Sequence, residues 1–124
     1  MDKLLSGRRV LVVEDEMLVL MMIEDMLADL GCESVTTSAT VEKALALIGS
    51  QVFDAAMLDM NLNGKRSRAV ADALAANAIP FVFSTGYSGD DMTDGHRDRA
   101  VLKKPFGYEA LGAALERLLS VTST

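Results

Sequence analysis

FDAAMLDMNLNG, residues Phe53 to Gly64, is an apolar run that ends abruptly on a carboxylate, Asp59. Apolar runs of this length bounded by turn residues read as strands buried on both faces. Asp59 therefore falls where a buried strand stops. The residues that follow, Met60-Asn61-Leu62-Asn63-Gly64, have the Asn and Gly chemistry of a loop, which turns the carboxylate into a crevice and away from the core.

The flanking sequence repeats this plan in alternation with helices. Arg9 to Val13 is a continuous β-branched and apolar run that ends at Glu14-Asp15-Glu16. Apolar positions Val19, Ile23, Met26, Leu27 and Leu30 recur at helical spacing from Met17 to Leu30, and Gly31 supplies the left-handed residue that closes a helix. Glu33 to Thr37 reads as a weak, partly exposed strand. Thr40 caps a second helix with Val41, Ala44, Leu45 and Ile48 on one face, stopped by Gly49. Beyond the Asp59 strand, Ser67 to Ala76 is a third helix built on Val70, Ala73 and Leu74. Phe81 to Ser84 is a fourth strand, with Pro80 tolerated at its start. Ser88 to Asp98 is expected to hold a short, loosely held helix. Arg99 to Lys103 is a fifth strand, and Tyr108 to Leu119 a last helix with Leu111, Ala114, Leu115 and Leu118 inward.

Strict alternation of strands and helices implies parallel strands, right-handed crossovers and helices on both faces of the sheet. Five such units make an α/β, flavodoxin-like (βα)5 three-layer sandwich with strand order 2-1-3-4-5, whose ligands gather at the carboxyl ends of the strands.

Composition limits what such a body does. A chain of 124 residues is one domain, half hydrophobic and a quarter charged, the balance of a soluble globular protein. No apolar run reaches membrane-spanning length, and the start at Met1 has no signal-peptide pattern. One cysteine, Cys32, excludes an internal disulfide, fits a cytoplasmic setting, and reads as a small buried apolar residue. A net charge of −6 argues against nucleic-acid binding; the basic patches at Arg8-Arg9 and Lys65 to Arg68 read as solvated ends of elements.

Polar groups then collect at the carboxyl ends of four strands: Glu14 and Asp15 after the first, Asp59 after the third, Ser84-Thr85 after the fourth, Lys104 after the fifth. Three carboxylates brought together repel, and that repulsion calls for a cation or for protonation. Oxygen ligands without nearby His or Cys suit Mg²⁺; His96 and Cys32 are not placed for zinc. A metal beside an aspartate, a threonine hydroxyl and a lysine ammonium forms a receptor for a phosphoryl group, with Thr85 and the Gly86 N–H as donors and Asp59 as the nucleophile that becomes an acyl phosphate.

These residues resemble the receiver domains of two-component response regulators, from Val10 to about Leu119. The resemblance is carried by Glu14-Asp15, Leu58-Asp59-Met60, Thr85-Gly86 and Lys104-Pro105-Phe106. It implies that Asp15, Asp59 and the main-chain carbonyl of Asn61 hold Mg²⁺, with Glu14 assisting through water. It also implies a phosphoryl group received from a histidine kinase or histidine phosphotransfer protein, Thr85 and Lys104 closing on that group, and a cis peptide before Pro105. Receivers usually carry an aromatic switch residue three positions before the lysine. Val101 stands there, and Tyr87, in the F-x-T-G-Y arrangement, is the candidate substitute.

The expectation for residues 1–124 is a single receiver with no output module, monomeric or weakly dimeric, with an unknown downstream protein, and either free-standing or cut from a longer hybrid kinase or regulator. Two other readings stay open. One is a Mg²⁺-dependent aspartyl-phosphate phosphohydrolase, although Asp59 follows the third strand and Asn61 stands where a second acid is expected. The other is a receiver-like binding module that never accepts phosphate. A flavin site is disfavoured by the acids Glu14-Asp15-Glu16.

Overall fold

A computed structural model of the chain describes residues 5, 7–32, 34–62, 65–85, 101–104 and 106–122. Strands β1 (Arg9–Val13), β2 (Ser34–Ser38), β3 (Ala55–Asp59), β6 (Phe81–Thr85) and β7 (Val101–Lys103) form one parallel sheet in the order β2-β1-β3-β6-β7. This is the expected 2-1-3-4-5 order of a flavodoxin-like fold, with β1 and β3 central. All five residues of β3 and of β6 are buried, as a parallel sheet covered on both faces requires.

Alternate residues of each strand serve two separate cores. On one face Val10, Val12, Ala55, Met57, Val82 and Leu102 meet helices α1 (Met17–Asp29) and α4 (Tyr108–Thr122). On the other, Leu11, Val13, Ala56, Leu58, Phe81 and Phe83 meet α2 (Val41–Ser50) and α3 (Arg68–Ala76). Phe81 and Phe83 pack edge to face there, with centroids 5.4 Å apart at 85°, the favoured geometry for a buried aromatic pair.

Several helix faces differ from the sequence reading. In α1 the buried stripe is Leu20, Ile23 and Leu27, continued by Leu30, while Val19 and Met26 are half-buried. The segment MLVLMMIEDML is apolar nearly all round, so periodicity alone could not select the face. Gly31 does take the left-handed conformation, at φ 86°. Thr40 caps α2 by accepting from the Lys43 N–H at 3.1 Å, but the helix runs through Gly49 to Ser50 and Leu45 is exposed. No atom crowds Gly49, and one helical glycine costs only about 1 kcal/mol. In α3, Ala71 replaces Ala73 among the buried residues. In α4 the stripe is Leu111, Leu115 and Leu119, with Ala114 and Leu118 half-buried, and the helix extends three residues past Leu119.

The segment after Asp59, read as loop, contains a small antiparallel pair, β4 (Asn61–Leu62) with β5 (Lys65–Arg66). Cys32 is half-buried, not fully buried, and its Sγ lies 3.3 Å from the carbonyl oxygens of both Arg8 and Ser34, which share its single S–H donor. The expected helix at Ser88 to Asp98, the start of the fifth strand at Arg99 and Ala100, and Glu33, Gly86, Tyr87, His96 and Pro105 lie outside the described residues.

Candidate functional site

The strand registers bring the carboxyl ends to one rim. Val13 is level with Leu58 and with Ser38, and Asp59 is level with Ser84. Main-chain hydrogen bonds then fix the residues just past the strands. The Glu14 N–H donates to the Ser38 carbonyl at 2.9 Å, the Met60 N–H to the Ser84 carbonyl at 3.0 Å, and the Lys104 N–H to the Thr85 carbonyl at 2.7 Å. Backbone pairing, satisfied where the strands end, thus positions the side chains that follow it.

At this rim Asp59 is 5% exposed, Glu14 1% and Thr85 3%. Glu14, Asp15 and Asp59 each offer a carboxylate oxygen, and these oxygens lie within 4.8 Å of one another. The Lys104 ammonium sits against them, 2.8 Å from Glu14 Oε1 and 3.3 Å from Asp59 Oδ2. Burial is the largest influence on that ammonium and by itself would lower its pKa. The Glu14 carboxylate against it and the charge of Asp59 together outweigh burial, so Lys104 is held above an ordinary lysine.

Three carboxylates against one ammonium leave the cluster with excess negative charge. Glu14 Oε1 is buried, and its close partner among the described residues is the Lys104 ammonium at 2.8 Å. An all-oxygen donor set of three carboxylates within 4.8 Å fits a hard divalent cation, and Glu14, Asp15 and Asp59 are the side chains able to hold Mg²⁺. Asn61 opens β4 two residues beyond Asp59. Gly86, expected as an N–H donor, lies outside the described residues.

Glu14, Asp15, Asp59, Thr85 and Lys104, expected at one edge from the sequence, lie at one edge in the structure. The sequence did not single out Glu16. That residue, not Asp15, stands at the N-cap of α1, without a side-chain cap bond. Its N–H donates to Glu14 Oε2 at 3.2 Å and its own carboxylate reaches within 3.7 Å of the Lys104 ammonium. The run of three acids was the available signal. The structure also shows Ser38, buried, as the anchor of Glu14, with its hydroxyl donating to the Thr40 carbonyl at 2.9 Å.

The family model for the response regulator receiver domain matches residues 10–116. The solution structure of SdrG from Sphingomonas melonis Fr1 is 48% identical, with a TM-score of 0.81 over 94% of this chain and 98% of that one. The receiver domain of the sensor histidine kinase PA1611 from Pseudomonas aeruginosa PAO1, solved with a magnesium ion coordinated in its active-site cleft, is 25% identical. Its TM-score is 0.76 over 93% of this chain and 99% of that one. The transcriptional regulatory protein PdtaR of Mycobacterium tuberculosis is 32% identical over 117 residues, 91% of this chain. The chain spans 57% of that relative's length.

Proposed function

The chain belongs to the response regulator receiver domain family, and from that premise we propose that Asp59 is the residue that accepts a phosphoryl group in a two-component phosphorelay. One observation carries this reading: a nearly buried Asp59 shares its rim with two further carboxylates, their oxygens within 4.8 Å, and has an ammonium at 3.3 Å. In the transfer, Asp59 Oδ attacks the phosphorus of a phosphohistidine. The P–N bond breaks and its electron pair stays on the ring nitrogen, and the imidazole, already protonated on its other nitrogen, departs neutral. Chemistry of this kind depends on positioning and charge neutralisation.

Glu14, Asp15 and Asp59, with the Asn61 carbonyl, are the groups that hold Mg²⁺, and the ion when bound neutralises phosphoryl oxygens that these carboxylates would otherwise repel. The magnesium in the PA1611 cleft supports that assignment. Lys104 exchanges its contacts with Glu14 and Asp59 for the phosphoryl oxygens. Thr85, hydrogen-bonded through its carbonyl to the Lys104 N–H, moves with it and, with Gly86, donates to the new group. Charge added at the rim then biases the adjoining segments between two arrangements.

The phosphodonor is a protein, a histidine kinase or histidine phosphotransfer protein. Beside the site α1 exposes Leu18 (82%), Met17, Met21 and Met22, an apolar face suited to another helix and of no use to a small phosphoester. We read residues 1–124 as one cytoplasmic receiver unit, monomeric or weakly dimeric, which assists its own phosphorylation and dephosphorylation without being a conventional enzyme. Intact mass after incubation with acetyl phosphate and Mg²⁺ tests the core of this reading. A phosphoryl adduct is expected on the wild type and absent from Asp59→Asn. An adduct on both variants refutes Asp59 as the acceptor, and rapid turnover of a chromogenic phosphoester would identify a phosphohydrolase instead.

A further inference from the structure

Lys104 is surrounded by three carboxylates, and only two of them belong to the candidate metal site. Its ammonium lies 2.8 Å from Glu14, 3.3 Å from Asp59 and 3.7 Å from Glu16. An ammonium has three N–H donors, so each carboxylate can take one. Glu14 and Asp59 are nearly buried, whereas the Glu16 side chain is 67% exposed and is not among the three acids whose oxygens cluster within 4.8 Å. A divalent cation among Glu14, Asp15 and Asp59 repels the ammonium and competes for its two closest partners. Among the described residues, Glu16 is the carboxylate left to it.

We infer that Glu16 is a positioning residue that receives the Lys104 ammonium when a divalent cation takes Glu14 and Asp59. It acts through Lys104 and touches neither the metal nor the phosphoryl group. Its place is fixed by the main chain, because the Glu16 N–H that donates to Glu14 Oε2 at 3.2 Å ties the backbone of the receiving residue to the carboxylate being vacated. Two consequences follow. Glu16 eases metal entry, since the displaced ammonium keeps an ionic partner. It also keeps Lys104 at the mouth of the site, within reach of an arriving phosphoryl group. The inference rests on the reading of Glu14, Asp15 and Asp59 as the metal site.

The test compares wild type, Glu16→Gln and Asp25→Asn. Asp25 is an exposed acid on α1, and its replacement makes the same change in net charge away from Lys104. Mg²⁺ affinity is measured by calorimetry at physiological ionic strength, and lysine ammonium groups are followed by ¹H–¹⁵N spectra at low temperature. Glu16→Gln should weaken Mg²⁺ binding about two- to fivefold, the range an exposed ion pair of up to about 1 kcal/mol can produce, with Asp25→Asn close to wild type. The Lys104 ammonium signal should be present in all three metal-free proteins, where Glu14 and Asp59 hold it. It should persist in Mg²⁺-loaded wild type and disappear in Mg²⁺-loaded Glu16→Gln. Equal affinities for Glu16→Gln and Asp25→Asn, or a signal that survives in loaded Glu16→Gln, overturns the role of Glu16. Absence of Mg²⁺ binding by the wild type overturns the metal-site reading itself, and that pattern is distinct from the other two.

Discussion

Replacing Lys104 by Met removes the only ammonium that the described residues place against Glu14 and Asp59. At separations of 2.8 Å and 3.3 Å, the attractions lost amount to about 6 and about 5 kcal/mol in an effective dielectric near 20. Dehydration of the ammonium offsets a large part of this in the wild type. Removing one partner of a buried pair strands the other charge and costs about 3–5 kcal/mol. Lys104 keeps 15% side-chain exposure, which admits some water, so the lower end applies: about 3 kcal/mol. For a domain of this size that corresponds to a fall in Tm of about 12 °C, at about 4 °C per kcal/mol. Thermal unfolding followed by circular dichroism at pH 7.5 in EDTA measures it. Saturating Mg²⁺ should then narrow the gap, because the cation supplies the countercharge that the methionine cannot, and ligand binding to the folded state adds stability. Equal Tm values in EDTA, or a gap of the same size with and without Mg²⁺, would refute the claim that Lys104 is the resting countercharge of this site.

The same lysine sets an alkaline limit. Its folded pKa is raised, so the stability it contributes is complete below the unfolded lysine value of about 10.4 and lost as pH climbs through the folded value; denaturant titrations across that window should show a component missing from Lys104→Met. Ala78 adopts φ 57° without being glycine, so Ala78→Gly should raise stability by up to about 1 kcal/mol, seen as a higher denaturant midpoint with unchanged slope. The two helix caps should separate cleanly. Thr40→Ala loses the bond to the Lys43 N–H and should cost about 1 kcal/mol, whereas the buried hydroxyl of Ser67, at the N-cap of α3, has no hydrogen-bond partner among the described residues, so Ser67→Ala should be neutral or stabilising in the same titrations.

Much of the site was legible because a parallel sheet imposes an order on its own sequence. Strands buried on both faces read as unbroken apolar runs, and the first polar residue after each run marks a carboxyl end. Asp59 after AAML, Glu14-Asp15 after RVLVV and Thr85 at the end of FVFST are of this kind. Their side chains need no long-range information to be placed on one rim once the strand order is known. Gly31 and Thr40 were readable for a local reason too, since a left-handed closure and a side-chain cap are properties of a few adjacent residues.

Tertiary packing decided what local chemistry leaves degenerate. The apolar residues of α1 offer more than one inward face, and contact with the sheet chose Leu20, Ile23 and Leu27 while leaving Met17, Leu18, Met21 and Met22 outside. Gly49 continues α2 because nothing there demands a stop. Glu16 reads as one more acid in a run; only the fold, by bringing Lys104 back across 88 residues of chain to within 3.7 Å, distinguishes it from a solvated charge. Sequence fixes which groups stand at strand ends, since that depends on burial along one segment. Which of those groups share a partner depends on distances between segments, and these exist only when the sheet has formed.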